Sequence, residues 1–199
     1  MSGICSYCSR TEVVDPMVNV ISLKWVLKIK KQNDRYKARL VARGFNQILG
    51  IDYNETFAPT AKMNTFRIFL YLVAYYRLYE DQEDIKTAFL NSPIEEDLYV
   101  EIPEELSAKN PLKLDLKVFG HLIPPANSKK RYVFKLYKSL YGIKQAPRDW
   151  YKTINRFLIK ELKMKRSSFD HCLYYSFNNA SIILLLLYVD DMLIACSTL

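Results

Sequence analysis

The stretch SIILLLLYVDDMLIAC, at residues 181–196, decides how we interpret the fold. Its two apolar runs lack glycine and proline, which is typical of buried strands, and the carboxylates between them mark a hairpin turn. Asp190 and Asp191 repel one another at such a turn, and a bound cation would remove that repulsion. Mg²⁺ is the natural candidate because it prefers carboxylate oxygens, water and substrate phosphates. The alternative is that both aspartates are ordinary turn residues.

A third acid, Asp84, lies far upstream in a segment, residues 80–88, that reads as a short strand. Three acids on two neighbouring strands could bind two Mg²⁺ ions roughly 4 Å apart. Such a pair of ions activates an attacking 3′-hydroxyl and stabilises a departing pyrophosphate. The alternative is that Asp84 is a surface acid within an acidic stretch.

The charge of the chain points to a polyanionic partner. Its 199 residues include 29 Lys and Arg against 21 Asp and Glu, a net charge of +8. Residues 28–43 and 129–166 are basic, whereas residues 80–105 are acidic. Two basic flanks around an acidic centre suit binding of a phosphate backbone around a metal site. A hydrophobic content of 50% is typical of a globular chain and argues against disorder.

The cysteines and the apolar segments say little about chemistry. Cys5 and Cys8 form a C-x-x-C pair, but a structural zinc site needs a second pair, and Cys172 and Cys196 are single. The first residues carry no apolar signal-peptide core, and residues 182–188 are too short to span a bilayer. We therefore expect an intracellular protein that is neither secreted nor bound in a membrane.

The first half of the chain predicts a basic hairpin followed by a helix. We expect residues 1–18 to be irregular and residues 19–30 and 35–45 to be paired strands. Arg35, Lys37 and Arg39 alternate along the second strand and share one face, which suits either a phosphate grip or a charged sheet edge. A helix capped by Asn64 or Thr65 should run to about Leu78 and, being apolar almost all round, should be buried on several sides.

The second half predicts further strands and one amphipathic helix. Residues 104–131 read as an exposed insertion, residues 139–147 as turns and residues 148–163 as an amphipathic helix. The expected strands are residues 98–102, 132–137, 172–177 and 181–188, the last two paired as a hairpin. The pattern is an α+β fold with an antiparallel sheet and helices on one face.

Six motifs then occur in a fixed order. They are NVISLKWVLKIK at 19–30, RYKARLVARGF at 35–45, GIDYNETFAP at 50–59, DIKTAFLN at 84–91, LYGIKQAPR at 140–148 and YVDD at 188–191. Together they resemble the reverse transcriptase of copia-type LTR retrotransposons, the RNA-dependent DNA polymerase domain of a Pol polyprotein. The resemblance covers residue 19 to the end of the chain.

The resemblance implies a right-hand polymerase palm, with a ferredoxin-like antiparallel sheet, plus fingers. We expect residues 1–18 to be an irregular N-terminal segment and residues 19–62 to form the fingers-like basic hairpin and loop. Residues 63–199 would form a palm-like region with the insertion at about 104–131. The chain stops eight residues after Asp191, so we expect it to be truncated after YVDD, with the thumb absent.

The resemblance also assigns the candidate site. Asp84, Asp190 and Asp191 would be catalytic and would bind two Mg²⁺ ions, or Mn²⁺, with the carbonyl of Ile85 as a further ligand. The residues expected around the incoming deoxynucleotide are Lys37, Arg39, Ala88, Phe89 and Gln145. The residues expected along the template and primer are Gly142, Lys144, Ala146, Pro147, Arg148, Tyr188 and Met192.

Some of these assignments stay open at the level of sequence. Either Lys37 or Arg39 would clamp the triphosphate. The ring of Phe89 would collide with a ribose 2′-hydroxyl and so select deoxynucleotides, or it is a core aromatic. Tyr188 and Met192 either touch the primer end or are packing residues. Ser92 and Pro93 replace the glycine that the family usually has after Asn91.

The function implied is RNA-directed DNA polymerisation, by two-metal transfer of deoxynucleotides to a primer 3′-hydroxyl. Its partners would be an RNA template, a DNA primer, dNTPs and the thumb and ribonuclease H regions of a longer polyprotein. The location would be the cytoplasm, in a virus-like particle, or the nucleus. One alternative is an inactive relic that acts as a basic nucleic-acid-binding module. Another is a ferredoxin-like domain of different function, in which the three acids lie far apart.

Overall fold

A computed structural model describes residues 8–30, 35–103, 132–178 and 181–197. Within these ranges the fold is mixed α/β and rich in sheet. Its strands and α-helices, in chain order, are β1 (Cys8–Val13), β2 (Val20–Ile21), β3 (Leu23–Lys30), β4 (Arg35–Ala42), α1 (Met63–Tyr76), β5 (Tyr79–Asp84), β6 (Pro93–Val100), β7 (Tyr132–Lys138), α2 (Ala146–Lys160), β8 (Lys165–Arg166), β9 (Leu173–Asn178), β10 (Ser181–Tyr188) and β11 (Asp191–Cys196). Short 3₁₀ turns occur at Gly44–Asn46 and Ala88–Asn91.

The chain divides into two compact units. Unit 1 comprises Met1–Thr56 and Phe89–Ala146, and unit 2 comprises Phe57–Ala88 and Pro147–Leu199. The prediction of fingers at residues 19–62 and palm at 63–199 stays a prediction. The expected insertion at residues 104–131 and the residue Cys5 lie outside the described ranges.

Unit 1 contains a four-stranded sheet and a separate hairpin. The sheet has the order β1-β7-β6-β2, with β2 parallel to β6 and the other pairs antiparallel. Strands β3 and β4 form the hairpin, in continuous register from Leu23 opposite Ala42 to Lys30 opposite Arg35. The core of the unit is apolar, and its fully or nearly fully buried members are Ile21, Ala42, Leu98, Val100, Phe134, Leu136, Leu140, Ile143 and Ala146.

Unit 2 is built on a five-stranded antiparallel sheet of order β5-β11-β10-β9-β8. Strand β10 lies in the middle, and the side chains of Leu184 to Leu187 are buried, as the apolar run predicts. Phe69 of α1 packs into a core with Leu184, Leu186 and Ala195. Helix α2 buries residues at helical spacing, namely Trp150, Ile154 and Leu158. In the described ranges no helix is long and apolar enough to cross a membrane.

Several predicted elements are confirmed. The basic hairpin, the amphipathic helix and the pairing of β9 with β10 lie where the patterns indicate. The predicted strand at residues 98–102 begins earlier, since β6 runs over Pro93–Val100. The expected irregularity of residues 1–18 is wrong for β1, which pairs with β7 at the edge of the sheet. Backbone hydrogen bonds hold an edge strand of this kind, so it needs no apolar alternation.

Two expectations about α1 are also wrong. The helix begins at Met63, so its N-cap residue is Lys62 and not Asn64 or Thr65. Instead the carboxylate of Asp170, distant in sequence, accepts the N–H of Lys62 at 2.9 Å. The helix is not buried on several sides, because Phe69 is its one buried residue, whereas Tyr71 is 63% exposed. Apolar composition therefore overestimates the burial of this helix.

Candidate active site

The three aspartates lie at one end of two neighbouring strands in unit 2. Asp84, the last residue of β5, is directly opposite Asp191, the first residue of β11. The N–H of Ile85 donates to the carbonyl of Asp190 at 3.0 Å, which ties the two chain segments together beyond the strand pairing. Directly opposed residues of antiparallel strands project from the same face of the sheet. The prediction that the acids lie on neighbouring strands is confirmed.

These acids differ in exposure. The side chains of Asp84 and Asp191 are exposed, whereas Asp190 is half-buried. Their oxygens are the hard donors that Mg²⁺ prefers. In the part of the chain that the structure describes, however, no three His, Cys, Asp or Glu side chains group closely enough to hold a metal ion. The donor set suits Mg²⁺ chemically, but its side chains are not arranged as a finished ion site.

The turn that carries Asp190 is held by a residue that the sequence analysis did not assign to the site. Tyr188 pairs with Asp191, so Val189 and Asp190 form a two-residue turn between β10 and β11. Val189 has φ 57°, a left-handed conformation that is unfavourable for a β-branched residue. The indole N–H of Trp150, itself buried in α2, donates to the Val189 carbonyl at 2.7 Å. The one available signal was that a buried indole N–H usually finds an acceptor.

Two of the predicted nucleotide-binding residues meet at one ring in unit 1. The guanidinium carbon of Arg39 lies 5.7 Å from the centroid of the Tyr141 ring. The ring of Phe89 lies 5.1 Å from the same ring, centroid to centroid, at an interplanar angle of 54°. Lys37 is exposed on β4 and lies opposite Lys28. The sequence analysis did not single out Tyr141, and its place in the LYGIKQAPR motif was the available signal.

Gln145, the fourth predicted nucleotide-binding residue in unit 1, is fully buried. It belongs to a network that we call the glutamine clamp, defined as Gln47, Asp52 and Gln145. The Gln145 side-chain N–H₂ donates to the Asp52 carbonyl at 2.9 Å, and its oxygen accepts from Gln47 at 2.8 Å. The Gln47 side-chain oxygen in turn accepts the N–H of Lys144 at 2.6 Å. Both ends of the Gln145 amide therefore contact protein groups.

The clamp continues toward the N-terminal part of unit 1. A carboxylate oxygen of Asp52 accepts the N–H of Ile48 at 2.7 Å and the side-chain amide of Asn19 at 2.5 Å. The ammonium of Lys144 lies 4.6 Å from the centroid of the Tyr53 ring and donates to its hydroxyl at 3.2 Å. The loop after β4 is thus fixed to the segment after β7 by buried polar groups, which the sequence analysis missed because no local pattern announces them.

The remaining predicted residues are distributed over both units. Ala88 and Ala146 are buried, Gly142 is exposed and Tyr188 is 57% exposed. Ile85, Pro147 and Met192 are half-buried, and the guanidinium of half-buried Arg148 lies 3.8 Å from the carboxylate of Asp149. Unit 1 contains Lys37, Arg39, Phe89, Gly142, Lys144, Gln145 and Ala146, and unit 2 contains Asp84, Ile85, Ala88, Pro147, Arg148, Tyr188, Asp190, Asp191 and Met192. The roles assigned to these residues stay predictions.

Comparison with known proteins supports the resemblance. Residues 12–199 match the family described as reverse transcriptase (RNA-dependent DNA polymerase). The chain is 45% identical over 179 residues to the retrovirus-related Pol polyprotein from transposon TNT 1-94 of Nicotiana tabacum. This match covers 87% of the chain and 12% of that relative. It is 35% identical over 181 residues to the retrovirus-related Pol polyprotein from transposon RE1 of Arabidopsis thaliana, covering 89% of the chain and 11% of the relative.

A more distant match extends to yeast. The chain is 30% identical over 193 residues to the transposon Ty1-H Gag-Pol polyprotein of Saccharomyces cerevisiae, covering 94% of the chain and 9% of the relative. The chain thus spans between 9% and 12% of the length of these three relatives. The resemblance to copia-type retrotransposon enzymes is confirmed. On this family match and these identities, the chain belongs to the reverse transcriptase (RNA-dependent DNA polymerase) family.

Proposed function

We propose that this chain forms the catalytic core of an RNA-directed DNA polymerase, which adds deoxynucleotides to the 3′-hydroxyl of a primer on an RNA template. The observation that carries the proposal is the register of Asp84 opposite Asp191, together with the hydrogen bond from the Ile85 N–H to the Asp190 carbonyl. Membership of the reverse transcriptase family supports it. The right-hand division into fingers at residues 19–62 and palm at 63–199 is part of the proposal.

The metal ions enter through the chemistry of the acids. Asp84, Asp190 and Asp191 would hold two Mg²⁺ or Mn²⁺ ions, with the Ile85 carbonyl as a further ligand. When bound, the two ions would activate the attacking hydroxyl and stabilise the leaving pyrophosphate. The protein's own contribution is to fix the backbone positions of the three acids. Strand register fixes Asp84 and Asp191, and the hydrogen bond from Trp150 to Val189 fixes the turn that carries Asp190.

The substrates are bound by the remaining predicted residues. Arg39, with or in place of Lys37, binds the triphosphate as a charge-assisted donor. Phe89 excludes a ribose 2′-hydroxyl, and the other residues proposed to serve the nucleotide are Gln145, buried in unit 1, and Ala88, buried in unit 2. The residues proposed to contact the template and primer are Gly142, Lys144 and Ala146 in unit 1 and Pro147, Arg148, Tyr188 and Met192 in unit 2.

The relatives are Pol polyproteins much longer than this chain. We therefore propose that thumb and ribonuclease H regions of a longer polyprotein complete the grip on the duplex. The net charge of +8 supports binding of a phosphate backbone, with a steep dependence on salt. The proposed setting is the cytoplasm, in a virus-like particle, or the nucleus.

Primer extension tests the proposal directly. The native chain, Asp190→Asn and Asp81→Asn are compared on poly(rA)/oligo(dT) with Mg²⁺ and dTTP. Asp81 is the matched control because it is an exposed aspartate on the same strand, β5, opposite Ile194. We expect Asp190→Asn to extend roughly a thousandfold more slowly than the native chain, because several kcal/mol of metal-dependent stabilisation is lost. Asp81→Asn should extend at the native rate.

A second candidate function is a non-catalytic basic module that binds nucleic acid. The net charge of +8 favours it. Equal binding of template-primer by the native chain and Asp190→Asn, with no extension by either, would support this second function. Extension that is equal in both proteins would contradict the assignment of Asp190.

A further inference from the structure

We propose that Tyr141 is a positioning residue that couples Arg39 to Phe89 and thereby sets the selection of deoxynucleotides over ribonucleotides. This inference rests on the proposed function, in which Arg39 binds the triphosphate and Phe89 lies against the sugar. Tyr141 itself touches neither the reacting atoms nor the metal ions in the proposal. It acts through the two side chains that its ring contacts.

The three side chains belong to three different elements. Arg39 belongs to β4, Phe89 to the 3₁₀ turn Ala88–Asn91, and Tyr141 to the segment between β7 and α2. The guanidinium of Arg39 lies over the Tyr141 ring at a distance of 5.7 Å, within cation–π range. The Phe89 ring packs on Tyr141 at 5.1 Å in a tilted arrangement, within the favourable range for aromatic pairs. All three side chains are half-buried.

Neighbouring segments hold the backbone at Tyr141 through hydrogen bonds. The carbonyl of Tyr141 accepts the N–H of Ala42 at 2.8 Å. The next residue, Gly142, has φ 96°, and a Cβ atom there would lie 2.1 Å from the carbonyl oxygen of Ala42. Farther along, the Lys144 N–H is fixed by the glutamine clamp. The main chain is therefore held on both sides of Tyr141, and its ring contacts Arg39 and Phe89 from this position.

This arrangement links the two functions of the pocket. Without the Tyr141 ring, Phe89 would be free to rotate away from the sugar and would admit a 2′-hydroxyl. Arg39 would lose the face that holds its guanidinium. Small displacements of positioned groups have large kinetic effects. The expected defect is therefore a loss of sugar discrimination. General damage to the fold would instead lower kcat/KM for both nucleotides equally.

The test compares kcat/KM for dTTP and for UTP on poly(rA)/oligo(dT). We expect Tyr141→Leu to lower the dTTP/UTP ratio about tenfold, mainly through a lower KM for UTP. Tyr141→Phe keeps the aromatic face and should keep the ratio. Tyr99→Leu is the matched control, because Tyr99 in the same unit pairs with Lys135 in a similar cation–π contact at 5.8 Å. Its ratio should equal that of the native chain.

An unchanged ratio in Tyr141→Leu would overturn the inference, as would an equal loss in Tyr99→Leu. If Tyr141→Leu does not fold, as judged by circular dichroism, Arg39→Leu replaces it. Coupling through Tyr141 predicts that Arg39→Leu lowers the ratio as well as the affinity for dTTP. An independent Arg39 would lower affinity for both nucleotides and leave the ratio unchanged, which would also overturn the inference.

Equilibrium binding separates this inference from the proposed function. Binding of dTTP and UTP is measured with the native chain and Tyr141→Leu, with Mg²⁺ and without primer. A native preference for dTTP that Tyr141→Leu loses would support the inference even if no Asp190-dependent extension were seen. In that case the proposed polymerase activity would be contradicted and the inference about Tyr141 would stand. A native chain that binds neither nucleotide, or binds both equally, would overturn the inference.

Discussion

The acid-bearing hairpin of unit 2 and the glutamine clamp of unit 1 position their segments by opposite means. Asp84 and Asp191 are exposed, and strand register determines where they lie. The clamp is buried, and side-chain amides and a carboxylate determine where its segments lie. The buried apolar face and the backbone hydrogen bonds of the strands set this register, so it does not depend on the two acidic side chains themselves. A buried polar network fails when one member is lost, because its partners remain in place without hydrogen bonds.

The largest effect on stability should follow a break in the clamp. Gln145→Leu removes the partner of Gln47 and of the Asp52 carbonyl. We expect a loss of about 3 kcal/mol in the free energy of unfolding, because each unsatisfied buried group costs roughly 1–3 kcal/mol. Urea denaturation followed by circular dichroism measures it. Gln82→Leu, at an exposed position of β5, is the control and should change stability little. Similar losses of stability in both variants would contradict a special role for the buried clamp.

The next effect tests how far the acid turn depends on a side chain after all. Trp150→Phe keeps an aromatic ring in α2 but removes the N–H that donates to the Val189 carbonyl. We expect a loss of about 1–2 kcal/mol in the free energy of unfolding, and slower primer extension. Trp25→Phe, on the β3–β4 hairpin, serves as the control. Unchanged stability and extension in Trp150→Phe would mean that register alone holds the turn.

Asp170 allows a smaller test, because unit 2 also contains a buried carboxylate with structural contacts. Burial alone would raise the pKa of Asp170, but hydrogen bonds from the Thr65 side chain and the N–H groups of Lys62 and Cys172 lower it below its ordinary value of 3.8. A carboxyl whose folded-state pKa is lowered stabilises the fold above its ordinary pKa. That stabilisation is lost as the pH falls from about that value through the lower, folded-state pKa.

Asp170→Asn should therefore lower the free energy of unfolding at pH 7 by about 1 kcal/mol, as for loss of a helix cap. Its stability should also fall less steeply than that of the native chain below pH 3.8. Thermal denaturation across about pH 2–7 measures both effects. Asp81→Asn, exposed on β5, is the control and should retain the native stability at pH 7. Parallel pH profiles for the native chain and Asp170→Asn would contradict the assignment.

The smallest effect should be a gain. Val189→Gly relieves the left-handed conformation of a β-branched residue, which is unfavourable by roughly 1–2 kcal/mol, but adds freedom to the unfolded chain. We expect a net stabilisation of about 0.5 kcal/mol, measured by urea denaturation. Val26→Gly, in the middle of β3, is the control and should destabilise. A loss of stability in Val189→Gly would show that the valine side chain contributes more than the backbone conformation costs.

The same contrast explains what the sequence could predict. The apolar run of β10 and the alternating cations of β4 carry their periods in the chain itself, so both hairpins were predicted. The meeting of Asp84 with Asp191 followed from the ordered motifs. The glutamine clamp joins Gln47 to a residue 98 positions away, and no local pattern encodes such a contact. The exposure of α1 was missed because composition does not reveal which side of a helix is covered.

Two glycines of unit 1, Gly44 and Gly142, lie where main-chain segments approach closely. A Cβ atom on Gly44 would lie 2.1 Å from the carbonyl oxygen of Gly142, and one on Gly142 would lie 2.1 Å from that of Ala42. In both cases the obstacle is main chain, so no repacking of neighbours makes room. A side chain at either position would therefore meet this main-chain obstacle whether or not the other glycine had been replaced. We expect a library that diversifies this junction, and is selected for folded protein, to retain glycine at both sites.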